Sequence, residues 1–169
     1  MNTSFAPGTI KCFTFIPHNK TPFMPIVNAY LNFNGTCEEA FKFYKSVFGG
    51  EFTYMGRFGE MPPQDGYTVP EADKNKIMHV SLPIGGDTVL MGSDSGGEWS
   101  SSMVVGNNIS LSITADSKAD ADRFFGSLST GGKVTRPMAQ MFWGDYFGMF
   151  TDQFGINWMI SFNENYKKK

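Results

Sequence analysis

The stretch Val27-Asn28-Ala29-Tyr30-Leu31-Asn32-Phe33-Asn34-Gly35-Thr36 decides the fold. Val27, Ala29, Leu31 and Phe33 fall on one face, and Asn28, Tyr30 and Asn32 on the other. That alternation predicts a half-buried strand. Asn34-Gly35 is a turn signal, and Thr36 with Glu39 three residues on reads as a capping box. Ala40, Phe41, Phe43, Tyr44, Val47 and Phe48 then supply the apolar stripe of a helix, which Gly49-Gly50 stops.

The same grammar returns later in the chain. Asn108-Ile109-Ser110-Leu111-Ser112-Ile113-Thr114 alternates as cleanly. Asp116 or Ser117 caps a helix carrying Ala121, Phe124, Phe125 and Leu128, and Gly131-Gly132 ends it. Strand-like segments follow each helix: Glu51–Phe58, Ile77–Ile84 and Asp87–Gly92 in the first half, and Lys133–Pro137, Tyr146–Thr151 and Ile156–Phe162 in the second. Gly85-Gly86 is a two-residue hairpin signal. The chain therefore reads as α+β, with two βαβββ modules forming a curved mixed sheet and helices on its outer face. Residues 1–24 read as an N-terminal arm. Residues 25–163 form one domain with modules at about 25–93 and 107–163, and 164–169 are a basic tail.

Two longer segments, Gly59–Lys76 and Ser93–Asn107, interrupt the pattern and read as lids or connections. Ser93-Asp94-Ser95-Gly96-Gly97 is similar to the nucleophile stretch of trypsin-like proteases. A chain this short with 2 His cannot build that double barrel, so the stretch reads as a flexible loop.

Composition narrows the function classes. The 169 residues carry 14 Lys+Arg and 16 Asp+Glu, and three of those cations are the terminal Lys167, Lys168 and Lys169. The body is mildly acidic, which argues against an electrostatic nucleic-acid binder. No apolar run approaches the roughly 18 residues that span a membrane. The first 20 residues lack a signal-peptide pattern, so the expected compartment is the cytoplasm. Cys12 and Cys37 are not a Cys-x-x-Cys pair and read as free thiols there. The 17 Phe among 26 aromatics call for a packed core or a lined cavity. None of Asn28, Tyr30, Asn32, Asn108, Ser110, Ser112 and Thr114 is charged. Solvent faces usually carry Lys and Glu, so these polar strand faces read as cavity walls, with a plain solvent-facing sheet as the alternative.

Two modules of this kind resemble the vicinal-oxygen-chelate superfamily of glyoxalases, bleomycin-resistance proteins and extradiol dioxygenases, and within it the PhnB-like branch. The resemblance rests on Tyr30-Leu31-Asn32-Phe33-Asn34-Gly35, Phe58-Gly59-Glu60-Met61-Pro62, Ile77-Met78-His79, Ile84-Gly85-Gly86 leading to Met91, Phe142-Trp143-Gly144-Asp145-Tyr146-Phe147-Gly148, and Thr151 to Ile160. It covers about residues 25–163. It implies a divalent metal held by His and Glu on the first and fourth strands of the modules. Those positions fall on Asn28, Asn108, Met91 and Met159. Two amides and two thioethers do not suit a hard divalent ion, and a one-residue slip offers only Ala29, Ile109, Gly92 and Trp158 or Ile160. The expectation is no metal and no cofactor. Some relatives carry a 3-demethylubiquinone 3-methyltransferase label; no Gly-x-Gly motif follows a strand here to hold a methyl donor.

The candidate ligand-binding residues are Asn28, Tyr30, His79, Met91, Asn108, Trp143, Tyr146 and Met159. His79 reads either as a structural strand histidine or as a base. With Gly85-Gly86 as the turn, Val80 opposes Met91 and His79 opposes Gly92, which sets His79 and Met91 on opposite faces. Trp158 shares parity with Ile156, Ile160 and Phe162 and reads as core. Three functions stay open. The first is a metal-free binding protein for a small molecule, acting as a homodimer. The second is an enzyme using Tyr30 or His79, either an isomerase or lyase with one of them as a proton relay or a metal-dependent enzyme of glyoxalase or dioxygenase type. The third is an interaction module with a filled cavity.

Overall fold

The computed structural model describes residues 26–62, 66, 68–96 and 103–165. The expected arm at 1–24 lies outside the described residues, as do 166–169 of the tail. The first module contains β1 (Tyr30–Phe33), α1 (Cys37–Phe48), β2 (Tyr54–Arg57), β3 (Ile77–Gly85) and β4 (Thr88–Asp94). The second contains β5 (Leu111–Thr114), α2 (Lys118–Leu128), β6 (Lys133–Gln140), β7 (Tyr146–Thr151) and β8 (Asn157–Phe162). Strand order is β1-β4-β3-β2 in one sheet and β5-β8-β7-β6 in the other. In each, the first strand runs parallel to the last of its module and the remaining pairs are antiparallel. The repeat read in the sequence is thus a repeat of topology. The strands form two four-stranded mixed sheets that are not closed on one another.

Each sheet buries the side that its helix covers. Phe33, Val80, Leu82 and Leu90 are buried with Phe41 and Tyr44 of α1, and Phe150, Trp158 and Ile160 with Ala121 and Leu128 of α2. Each sheet also clears a path for one aromatic ring. A Cβ on Gly92 would stand 2.6 Å from Cε2 of Phe41, and one on Gly148 would stand 2.7 Å from Cε2 of Phe125. The glycines let the helices approach the strands closely, and the Phe stripes fill that contact.

The two modules share one core. Tyr44 and Phe48 of α1 meet the Trp158 ring at centroid distances of 5.7 and 6.0 Å, and Phe48 meets Phe124 of α2 at 5.7 Å. At the centre the buried Asp152 carboxylate accepts from the Tyr44 hydroxyl at 2.7 Å and from Trp158 Nε1 at 2.9 Å. It also accepts from the backbone N–H groups of Phe154 and Ile156, both at 2.9 Å. A buried carboxylate with four donors is satisfied as a structural hub.

The helix starts divide the capping role differently from the sequence reading. Ser117 caps α2, accepting from Asp120 N at 3.0 Å. Thr36 makes no side-chain cap bond. Asp94, the last residue of β4, replaces it by accepting from Gly35 N at 2.9 Å, Cys37 N at 3.0 Å and Ile77 N at 2.9 Å. The Ser93–Gly97 stretch is therefore not simply a loop, since Ser93 and Asp94 finish β4 and Asp94 is buried. Ser117→Ala is expected to cost about 1 kcal/mol, whereas Thr36→Ala costs a few tenths at most; urea unfolding midpoints of the two variants check the contrast.

Candidate functional site

The side of each sheet turned away from the helices is open in the single chain. On the first sheet the register decides what that side carries. Ser81 pairs with Met91 and Val80 with Gly92, and an irregularity between Pro83 and Gly85 sets Gly85 opposite Thr88. The hairpin turn is thus displaced by one residue from the expected Gly85-Gly86. His79 consequently shares its face with Ser81 and Met91, which corrects the expectation that His79 and Met91 lie on opposite faces. Tyr30, paired with Met91 across β1 and β4, joins them.

These side chains touch. The Tyr30 hydroxyl lies 3.2 Å from Nδ1 of His79, and Nε2 of His79 lies 2.9 Å from the Ser81 hydroxyl. The imidazole ring stacks on Tyr30 at 5.6 Å between centroids with 20° between planes, and Tyr54 stands at 5.7 Å from it. Tyr30 is 45% exposed and Tyr54 48%, so this cluster is reachable from solvent. Sequence reasoning missed Ser81 and Tyr54. Both sit at alternate positions facing His79, a signal available once the register is known.

The remaining candidates divide. Met159 lies on the open side of the second sheet, paired with Ser112 and Met149. Trp143, in the β6–β7 turn, donates from Nε1 to Asp145 at 3.2 Å and packs against Phe147 at 5.9 Å. Phe147 pairs with Ser161 on that same open side. Tyr146 pairs with Phe162 and turns toward α2, where its hydroxyl donates to Asp122 at 2.7 Å under the Lys118 ammonium. That bond holds its phenol above the usual tyrosine range. Tyr146 therefore does not line the open face. Asn108 is exposed ahead of β5 rather than within a strand.

The positions of the metal ligands in the resembled enzymes do not fit a hard divalent ion. The Asn28 side-chain oxygen already accepts from Val89 N at 3.0 Å. Met91 and Met159 offer thioethers, and the buried Asp94 and Asp152 are spent on protein donors. Among the described residues no group of three or more His, Cys, Asp or Glu side chains is gathered. Cys37 is free and buried, and burial foremost, then the Asp94 and Glu38 carboxylates, pushes its thiol well up. It is not a nucleophile.

A cavity of about 650 Å³ opens beside Tyr30, where β1 approaches β5 and the turn before β8. Its walls include Tyr30, Asn32, Asn34, Leu111, Phe154 and Ile156, and among the described residues no charged side chain lines it. Its volume is that of an organic-molecule site.

Fold and site together define a two-module βαβββ protein with an open, aromatic and polar sheet face. A family model described as Glyoxalase/Bleomycin resistance protein/Dioxygenase superfamily matches residues 27–160, and the chain belongs to that superfamily. It is 31% identical to the protein YjdN of Escherichia coli K12 over 147 residues, which cover 82% of this chain and 95% of YjdN. Among solved structures, the protein PA1353 from Pseudomonas aeruginosa is 38% identical and superposes with a TM-score of 0.68 over 83% of this chain and 98% of its own. A PhnB protein from Bacillus cereus, provisionally described as a 3-demethylubiquinone-9 3-methyltransferase, shares the fold at 23% identity and a TM-score of 0.63, covering 80% and 98%. Among the described residues no helix is long and apolar enough to cross a membrane.

Proposed function

We propose that this chain is a metal-free small-molecule-binding protein that holds an aromatic or polar organic compound on the open face of its first sheet. The observation that carries the reading is the cluster of Tyr30, Tyr54, His79, Ser81 and Met91. Four of these side chains are polar or aromatic and Met91 adds a thioether, and all are turned away from the core beside a 650 Å³ cavity. The donor set supports the metal-free part, because amides and thioethers stand where His and Glu would be needed. Asn28, Trp143 and Met159 belong to the wider site, the last two from the second module.

The working unit in this reading is a homodimer of the domain at about 25–163. Tyr30, Tyr54, Val134, Phe142 and Trp143 are exposed to 45% or more, and Phe142 to 96%. β6 is exposed along nearly its whole length. Such edges and rings favour a second copy over water. The buried free thiol of Cys37 is in keeping with a reducing cytoplasm.

A thermal-shift panel of aromatic compounds and divalent metal salts tests the binding reading. The expected result is stabilisation by at least one aromatic compound, reduced in Tyr30→Phe, and none by the metals. A stoichiometric metal bound at Met91 and Met159, or a Tyr30→Phe variant that binds equally well, overturns it. A monomer in gel filtration at high concentration overturns the dimer.

A further inference from the structure

We propose that Tyr30, His79 and Ser81 form a proton relay that binds ligands carrying an acidic hydroxyl by taking up its proton. This rests on the binding reading above and names the chemical class of ligand.

Three observations carry it. First, the groups are joined end to end, Tyr30 Oη to His79 Nδ1 at 3.2 Å and His79 Nε2 to Ser81 Oγ at 2.9 Å. The phenol is the more acidic of the two hydroxyls and the better donor, so Tyr30 donates to Nδ1 and Nε2–H donates to Ser81. Ser81 thereby fixes the tautomer as a positioning residue. Second, the imidazole contacts both the Tyr30 and the Tyr54 ring, at 5.6 and 5.7 Å between centroids, and aromatic rings attract a cation. Third, among the described residues its hydrogen-bond and ring partners are uncharged: Tyr30 from β1, Tyr54 from β2 and Ser81 from β3. An imidazolium formed there needs its counter-charge from a ligand, and the half-exposed Tyr30 hydroxyl is where a ligand oxygen meets the chain.

The step balances as a double proton transfer. The ligand O–H bond breaks and its proton passes to Tyr30 Oη while the phenol proton passes to His79 Nδ1. The products are a ligand oxyanion, a neutral Tyr30 and an imidazolium whose Nε2–H is held by Ser81. No electrons move between partners, and a charge pair replaces two neutral groups.

p-Nitrophenol is the probe, because its anion alone absorbs in the visible. At about pH 7, where much of the free probe is still neutral and a free imidazole is mostly unprotonated, the full-length protein is expected to raise the phenolate band. Tyr30→Phe and His79→Gln are expected to abolish it. Ser81→Ala should weaken phenolate binding on the order of tenfold. Ser117→Ala, at the α2 cap and outside the cluster, lowers stability but retains the band, which separates loss of the relay from loss of fold, and circular dichroism confirms that each variant is folded. Probe bound in dialysis without the phenolate band overturns the relay while leaving the binding reading standing. A band unchanged in His79→Gln overturns it as well. So does the absence of any probe binding, in which case the wider compound panel alone decides the binding reading.

Discussion

Replacing Asp152 by alanine is expected to lower stability by about 3–5 kcal/mol, a large part of what a domain of this size has. The carboxylate takes hydrogen bonds from the Tyr44 hydroxyl, the Trp158 indole and two backbone N–H groups. The Tyr44 hydroxyl and the Trp158 indole lose their partner in a buried place, and the two backbone N–H groups lose theirs in a part-buried one. The effect spans both modules, since Tyr44 belongs to α1 and Trp158 to β8. Asp152→Asn should fall between wild type and alanine, because the amide oxygen serves some donors while its NH₂ faces others. Urea unfolding by fluorescence and by circular dichroism should give one coincident, shifted transition; an alanine variant within 1 kcal/mol of wild type contradicts the hub.

The same hub gives a pH signature. Burial first, then the Asp152 carboxylate, pushes the Tyr44 phenol far above the usual tyrosine range. In the unfolded chain Tyr44 ionises near about pH 10. Its contribution is complete below that pH and falls as the pH rises beyond it, because the unfolded state loses the proton that the folded state keeps. Tyr44→Phe removes this part of the alkaline loss, which melting temperatures against pH report.

Trp158→Ala carries the second large effect, also about 3–5 kcal/mol. The indole is 1% exposed and fills the space between Tyr44, Phe48 and the second sheet. Trp158→Phe restores most of the volume but not the N–H bond to Asp152, so its loss should be smaller. Because Trp158 and Asp152 touch, the double variant should cost less than the sum of the singles. Additive losses would show that the two groups act independently.

Much of this was legible in the sequence because it depends on local period. The alternation around Leu31 and Phe33, the Phe stripes at 41 and 125, and the paired Gly-Gly stops gave both modules in the right order. Trp158 read correctly as core from its parity with Ile160. What escaped depends on distant partners or on one residue of register. Asp94 caps α1 from the end of β4, and nothing near Thr36 announces that the cap has moved elsewhere. The hub at Asp152 needs Tyr44 from the other module. His79 changed faces because of the irregularity between Pro83 and Gly85, which no hairpin rule based on the glycines alone includes. Tyr146, a candidate ligand-binding residue, turns to the helix side, as its pairing with Phe162 sets its face.

Methionine methyl NMR on the full-length protein tests the binding reading most directly. Met91 lies on the open face beside the Tyr30 cluster, whereas Met138 lies under Gly148, packed against the buried core. Titration with an aromatic compound that stabilises the protein should shift the Met91 methyl and leave Met138 in place, and Tyr30→Phe should reduce the Met91 shift. If Met159 moves with Met91, the open faces of the two modules share one ligand. Shifts confined to Met138, or none at Met91 under saturating compound, would contradict a binding site on the open face.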